Sequence, residues 1–471
     1  MSEGSQPEPL RPASVAVIGG GISGLTAAYE LAKAGIACTI VDPKPALGGV
    51  IRTENAGGCL IEAGPDSFLA QKPWALELIK EVGLGDQVIG SNDHRRRTFV
   101  LRDGRLIQIP EGLQFMAPTR IAPVLKSPLL SVGAKLRMAA ELLRRPSGAR
   151  PDRSVAEFVT DHYGSEVNEY LAQPMLAGVY GAEPEALSVN AVLPRFVEIE
   201  TRYGSLSRGL MAGMKQARST NGPRSSLFLT LRGGMQTLTD ALAARIAGKA
   251  KRVQGRAVGL ERTNGRWTVQ LEDASVDADA VILALPAYES AQLLAPIDSE
   301  ITGPLRSIPY GSSITVGLVY ERPAFTHPLT GFGFLVPRAE GRLLAACTWV
   351  GTKFDGRTTN DRPLLRAFLG GTKAQERMSH TPEKLVREVD AELKQLMQYS
   401  ADPVEWRTAV WDRAMAQYPV GHAAIVAHIR GREAAIPGLT LIGNAFAGIG
   451  IPDCIRLARR AVRPLTGATA G

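Results

Sequence analysis

Cysteine is scarce in this chain. Only Cys38, Cys59, Cys347 and Cys454 occur in 471 residues, far apart and without a CxxC pair. A disulfide scaffold and a zinc knuckle are both excluded on that count. The six histidines show no HExxH or similar ligand spacing, so no metal site is expected. Long apolar runs are missing too: no stretch of about 18 uncharged apolar residues is available to span a membrane. The opening MSEGSQPEPLRP lacks the apolar core of a secretory signal, and the cytoplasm is the expected compartment. Lys and Arg number 54 against 46 acids, a net charge of +8, yet they are scattered along the chain. No nucleic-acid tract results.

What is present suffices for a large core. The chain is 45% hydrophobic and 21% charged, and its length corresponds to two or three domains. No internal repeat or low-complexity block interrupts it. Ala13 to Ile18 reads as a compact strand, followed by a glycine turn, a helix from about Leu25 to Ala34, and a second strand from Ala37 that ends at Asp42. This βαβ opening predicts an α/β fold with a Rossmann-like doubly wound sheet. Leu47 to Phe68 is too broken by Gly and Pro for a long helix and reads as a working loop region.

Between Glu111 and Arg208 helical patterning dominates. Val132, Leu136, Ala140 and Leu143 fall at helical spacing, with Lys135, Arg137, Arg144 and Arg145 among or after them. Strand-like runs follow at Ala280–Leu285, Ile314–Tyr320, Phe332–Val336 and Leu439–Ile442, and a last helix is expected from about Ile455 to Pro464.

Gly19, Gly20, Gly21, Ile22, Ser23 and Gly24 contain GxGxxG between the first strand and its helix. Gly19 permits the tight turn, Gly21 lets a pyrophosphate approach the backbone, and Gly24 lets the helix pack on the strand. The helix N-terminus then offers unpaired N–H groups and partial positive charge to phosphates. Asp42, 18 residues past Gly24, is placed to accept hydrogen bonds from a ribose. A second glycine pair, Gly48-Gly49, follows shortly after this acid. That pattern is typical of FAD folds of the amine-oxidase type.

Further segments carry a narrower resemblance. Gly64-Pro65-Asp66-Ser67-Phe68, the stretch Gly181 to Ser188, Gly331 to Pro337, and Leu441 to Ile455 occur in this order. Together with the opening motif, over about residues 13–465, they resemble the oxygen-dependent protoporphyrinogen/coproporphyrinogen oxidases of haem biosynthesis. The resemblance implies FAD as cofactor, with Gly19 to Gly24 and Asp42 at its ADP half and Gly49 near it. Gly64, Pro65, Asp66 and Ser67 would line the isoalloxazine, and Ala257 and Val258 would present backbone to the adenine. Trp411 would lie near the flavin, and Ile449, Gly450 and Ile451 at a helix N-terminus facing its pyrimidine end.

For the substrate, the resemblance assigns Phe332, Gly333 and Leu335 to the segment over the flavin. Arg97, in the run Arg95 to Arg97, would fork onto a propionate carboxylate. The implied activity is oxidation of protoporphyrinogen IX to protoporphyrin IX in three two-electron rounds, with O2 as acceptor and H2O2 formed. Coproporphyrinogen III is the alternative substrate. The flavin does the redox work, so no single side chain is expected to be an essential base.

The implied organisation is a discontinuous FAD-binding domain (1–78, 209–285 and 411–471), a mixed-sheet substrate domain (79–110 and 286–410) and a helical insert (111–208). Contact of that insert with the inner face of the cell membrane, a homodimer and handover to a chelatase are the partners it leaves to test. An amine oxidase or desaturase of the same superfamily, and a non-catalytic FAD- or tetrapyrrole-binding protein, are the rival readings. Cys454 is expected as a buried helix residue, His422 as a hydrogen-bonding loop residue, and Asp66 as a former of an Asx-type turn.

Overall fold

The computed structural model describes residues 12–146, 148–219, 226–359 and 362–466. Its first sheet has five parallel strands in the order Ala250–Gln254, Ala37–Asp42, Ser14–Ile18, Ala280–Leu283, Leu439–Leu441. The central strands are continuous apolar runs because both faces are covered. Val15, Val17, Ile40 and Ile282 pack under helices Ile22–Lys33, Gln236–Ile246 and Ile451–Thr466. Ala16, Ile18, Val41 and Val281 face the other way, toward the antiparallel meander of residues 257–278 with Trp267 at its centre. Strands drawn from distant parts of the chain thus share one sheet, as a doubly wound α/β fold requires.

The second sheet has seven strands: Glu405–Ala416, Tyr310–Val319, Leu364–Gly370, Ala346–Trp349, Gly333–Leu335, Thr98–Arg102, Arg105–Gln108. Its one parallel pairing joins Gly333–Leu335 to Thr98–Arg102. Alternation gives it two unlike faces. Ile314, Val316 and Leu318 pack on Leu385, Val389 and Leu393 of helix Pro382–Met397. Ser313, Thr315 and Gly317 point to the opposite face, where the site lies.

Several boundaries differ from expectation. The first helix begins at Ile22 and the last at Ile451, because each starts directly on its glycine turn, where apolar periodicity gives no signal. Pro464 is accommodated in the final turns of the last helix. Residues 47–68 include a hairpin, Thr53–Ala56 with Cys59–Glu62. Helices run from Ile121 to Ser219, and the final one, Leu206–Ser219, spans the expected 208/209 boundary. No helix of the described residues is long and apolar enough to cross a membrane.

Candidate functional site: a glycine-lined channel and a charged shelf

The first glycine turn is built by close backbone approach. Gly19 has φ +102° and donates its N–H to Val41 O at 2.8 Å. A Cβ on Gly24 would overlap the Gly19 carbonyl, so this turn admits no side chain there. Gly20 N–H donates to Asp42 Oδ2 at 2.6 Å, and Lys44 N–H donates to Oδ1 at 2.9 Å. The acid at the second strand's end is therefore tied to the turn while retaining acceptor lone pairs. Gly21 is the N-cap of helix Ile22–Lys33. That helix has no side-chain cap and no acid in its first turn, which leaves its N–H donors for an anion. Ile22 packs on the core beneath, and Ser23 is buried against the Cys454 thiol. That contact brings the heads of the first and last helices together.

The second glycine pair lies on the first. Gly48 N–H donates to Gly20 O at 2.8 Å, and a Cβ on Gly49 would lie 3.0 Å from Gly21 Cα. Gly64 adjoins Val50, whose carbonyl a Cβ at 64 would overlap. Just before it, Ala63 O accepts from Trp411 Nε1 at 2.8 Å and from Thr315 Oγ1 at 2.9 Å. Lys44 Nζ and the Arg52 guanidinium each sit 5.7 Å from the centroid of the Trp411 ring. No second aromatic contacts that ring among the described residues. Gln254 pairs with Asp42, and three residues on the meander begins at Ala257, with Val258 bulged out of register. The bulge takes the Val258 backbone out of the ladder at the Asp42 end of the channel.

Ile449, Gly450 and Ile451 lead directly into the last helix. The loop before it is pinned by Tyr418, whose hydroxyl donates to Asn444 O at 2.6 Å and accepts from Gly448 N–H at 2.8 Å. His422 stacks on Tyr418 with centroids 4.2 Å apart, and burial lowers its pKa; it is an imidazole packed in the core. Asp453 lies buried in the first turn and pairs with Lys72. Burial pushes the Cys454 thiol up to about 11, which leaves it protonated and inert.

Asp66 corrects the turn expectation. Its carboxylate accepts from Lys353 Nζ at 2.9 and 3.1 Å and from Ser67 Oγ at 2.6 Å, with Arg366 3.9 Å away. Burial alone would raise its pKa, but the Lys353 and Arg366 cations outweigh this and hold it well below the usual carboxylate range. Enclosure among cations, rather than a bond to its own backbone, decides what Asp66 does. Arg366 also donates to Gly64 O, so the 63–67 segment is a shelf fastened to the sheet by Trp411, Thr315, Arg366 and Lys353. The sequence reading missed Lys353, Arg357 and Arg366. An arginine inside the apolar run Leu364–Gly370 was the available signal, because a buried charge requires partners.

The proposed substrate residues lie close together at one end of the seven-stranded sheet. Phe332 N–H donates to Arg97 O at 2.8 Å, placing the two side by side. Gly333 has φ +130° and a Cβ there would overlap Cys347 O, so only glycine fits. Leu335 packs toward the helical insert and Phe334 toward the opposite core. Across the strands, Thr98, Gly333, Thr348, Arg366 and Gly317 form one row. Three strand spacings, roughly 14 Å, separate Thr98, next to Arg97, from Arg366 under the shelf.

The channel's bare helix N-terminus, side-chain-free glycine contacts and terminal acid fit a dinucleotide. Fold and site together define an FAD-dependent oxidoreductase. A model of the family described as flavin containing amine oxidoreductase matches residues 22–465. The chain belongs to that family, among the porphyrinogen oxidases. It is 30% identical to the coproporphyrinogen III oxidase of Bacillus subtilis (strain 168), covering 95% of this chain and 97% of that one. It is 29% identical to protoporphyrinogen oxidase 1, chloroplastic, of Arabidopsis thaliana, covering 93% and 85%. A crystal structure from Exiguobacterium sp. 255-15, provisionally assigned as a protoporphyrinogen oxidase, superposes with a TM-score of 0.86 at 28% identity, covering 97% and 99%.

Proposed function

We propose that the chain oxidises a porphyrinogen to the corresponding porphyrin, with protoporphyrinogen IX as the first reading. The observation that carries this is the row Thr98, Gly333, Thr348 and Arg366, which runs from beside Arg97 and Phe332 to the arginine bonded to Gly64 O. Bound FAD supplies two-electron acceptance and reoxidation by O2. Gly19 to Gly24 and Asp42 hold its ADP half, with Gly49 and the Ala257–Val258 backbone alongside. Gly64 to Ser67, Trp411 and Ile449 to Ile451 surround its ring end. Phe332, Gly333 and Leu335 present a flat apolar strip to the macrocycle and exclude water, and Arg97 anchors a propionate at the rim. The described residues offer no isolated acid–base pair on this face: Asp66 is committed to Lys353 and Arg366. The ring N–H proton leaves to solvent.

Coproporphyrinogen III is the second reading. It carries four carboxylates against two, and the Bacillus relative is named for it. The three exposed arginines Arg95, Arg96 and Arg97 suit the more anionic ligand. Aerobic turnover of each porphyrinogen, followed by porphyrin fluorescence and peroxide release, tests both. Three peroxides per porphyrin are expected from the better substrate; absence of porphyrin formation from either sinks the assignment.

Peripheral membrane docking rests on the insert. Ile121, Leu125, Val132, Leu136 and Leu143 are all exposed, beside exposed Lys126, Arg137 and Arg145. Apolar side chains flanked by cations match an anionic bilayer surface. Sedimentation with phosphatidylglycerol vesicles should fall in Leu136→Ser/Leu143→Ser; equal sedimentation of both proteins would refute it.

A further inference from the structure

Beneath the shelf lies a cluster of five ionisable side chains that the proposed chemistry does not use: Glu62, Asp66, Lys353, Arg357 and Arg366. Glu62 and Arg357 are 3.4 Å apart, and Asp66 is paired with Lys353 and faces Arg366. All five are largely enclosed, with side-chain exposures between 1% and 17%. Three cations face two anions, so the cluster carries an uncancelled positive charge. Burial raises the Glu62 pKa, against bonds from Thr53 and Met235 and the nearby Arg357.

Arg357 Nη1 and Arg366 Nε are buried and make no hydrogen bond; Nη1 meets only the Glu62 carboxylate, as an ion pair at 3.4 Å. Both residues line a void that fits about one water molecule, closed by Leu60, Phe354 and Leu364. Arg357 otherwise donates to Thr230 Oγ1 at 2.5 Å, and Lys353 Nζ lies 4.9 and 5.0 Å from the Phe228 and Phe354 rings. Evolution of a merely structural network toward stability would favour full pairing, since each unpaired buried donor costs free energy.

We propose that this cluster sets the reduction potential of the bound flavin: Lys353, Arg357 and Arg366 keep net positive charge under the shelf that Asp66 and Glu62 only partly offset. Uptake of a hydride brings two electrons and one proton, which leaves one added negative charge above the shelf. A buried positive surplus favours that reduced state because the surrounding dielectric screens it weakly. Lys353 and Arg366 are positioning residues in this account, because they act through the segment 63–67, of which Asp66 is a member.

The test is the midpoint potential of the FAD-loaded full chain, measured anaerobically against redox dyes. It needs no porphyrinogen, so it can fail while the substrate assignment stands, and the reverse. Lys353→Met should move the potential to more negative values and Asp66→Asn to more positive ones. Lys353→Arg, which keeps the charge, should retain wild-type potential and FAD content. Shifts of the same sign in Lys353→Met and Asp66→Asn, or no shift in either, overturn the proposal. So does loss of FAD from Lys353→Arg, which would show that shape, and not charge, is what the cluster provides.

Discussion

Two of the protein's buried charge clusters are built differently. In the helical insert, His162 lies between Glu141 and Glu200, with each ring nitrogen 3.1 Å from a carboxylate oxygen. Glu141 also accepts from Ser205 Oγ, and Glu200 and Asp161 are held by Arg144, Arg150 and Arg153. None of these side chains leaves a buried polar atom without a partner. Under the shelf, by contrast, Arg366 Nε makes no hydrogen bond, Arg357 Nη1 meets Glu62 only as an ion pair at 3.4 Å, and cations outnumber anions. A satisfied network clamps helices together; an unsatisfied one stores potential next to a site. Asp161, His162 and Glu200 have the spacing of a metal cluster, but the arginines already take their carboxylates.

The largest effect should come from breaking the insert clamp. Removing His162 by substitution to Ala leaves two buried carboxylates facing each other, which costs about 3–5 kcal/mol. Thermal unfolding should shift down by several degrees, while FAD per folded molecule stays at the wild-type level. Loss of FAD in parallel would erase the distinction between the two clusters. Next in size, Gly333→Ala should lower kcat/KM by about tenfold or more, because strain and overlap cost about 1–3 kcal/mol. Its flavin content should be unchanged, since Gly333 sits across the sheet from the channel.

Acid sharpens the contrast. Burial alone would raise Glu141 and Glu200, but hydrogen bonds from His162, joined by Ser205 and the Leu206 N–H at Glu141 and by the Arg153 cation at Glu200, together outweigh it, and both lie below the ordinary carboxylate value. A depressed carboxylate stabilises the fold above its unfolded value, about 4.3, and loses that contribution as pH falls through the folded value. Glu62, raised by burial, has the opposite sign: its contribution is whole below the unfolded value and is lost as pH rises through the folded one. Acid unfolding should therefore begin in the insert. Melting temperature against pH should show a shallower acid limb in Glu141→Gln than in wild type, and an unaltered acid limb in that variant would contradict this. The smallest effect belongs to Arg97→Ala. An exposed ion pair is worth roughly 0.2–1 kcal/mol, so KM should rise up to about fivefold with kcat unchanged.

The channel was legible because its chemistry is local. Gly19 to Gly24, Asp42 and Gly48-Gly49 lie within some thirty residues, and Gly19, Gly24, Gly48 and Gly49 each have a steric reason. The shelf was not, because its partners are remote: Asp66 and Lys353 are 287 positions apart. Only the lone arginine in Leu364–Gly370 advertised it. The insert shows a different gap. Val132 and Leu136, with Leu143 just past the helix end, form one apolar row, and Ala134 and Met138, in line with the Glu141 carboxylate, form a second on helix Val132–Glu141. Spacing alone does not say which one is buried, and the structure buries the second.

A porphyrinogen bound against Phe332, Gly333 and Leu335 would reduce the flavin directly. Anaerobic mixing of FAD-loaded protein with limiting protoporphyrinogen IX or coproporphyrinogen III tests it most directly. The account predicts bleaching of the visible flavin band by at least one of them, with three flavins reduced for each porphyrin formed. A flavin band that neither porphyrinogen bleaches, in protein that dithionite reduces normally, would contradict it.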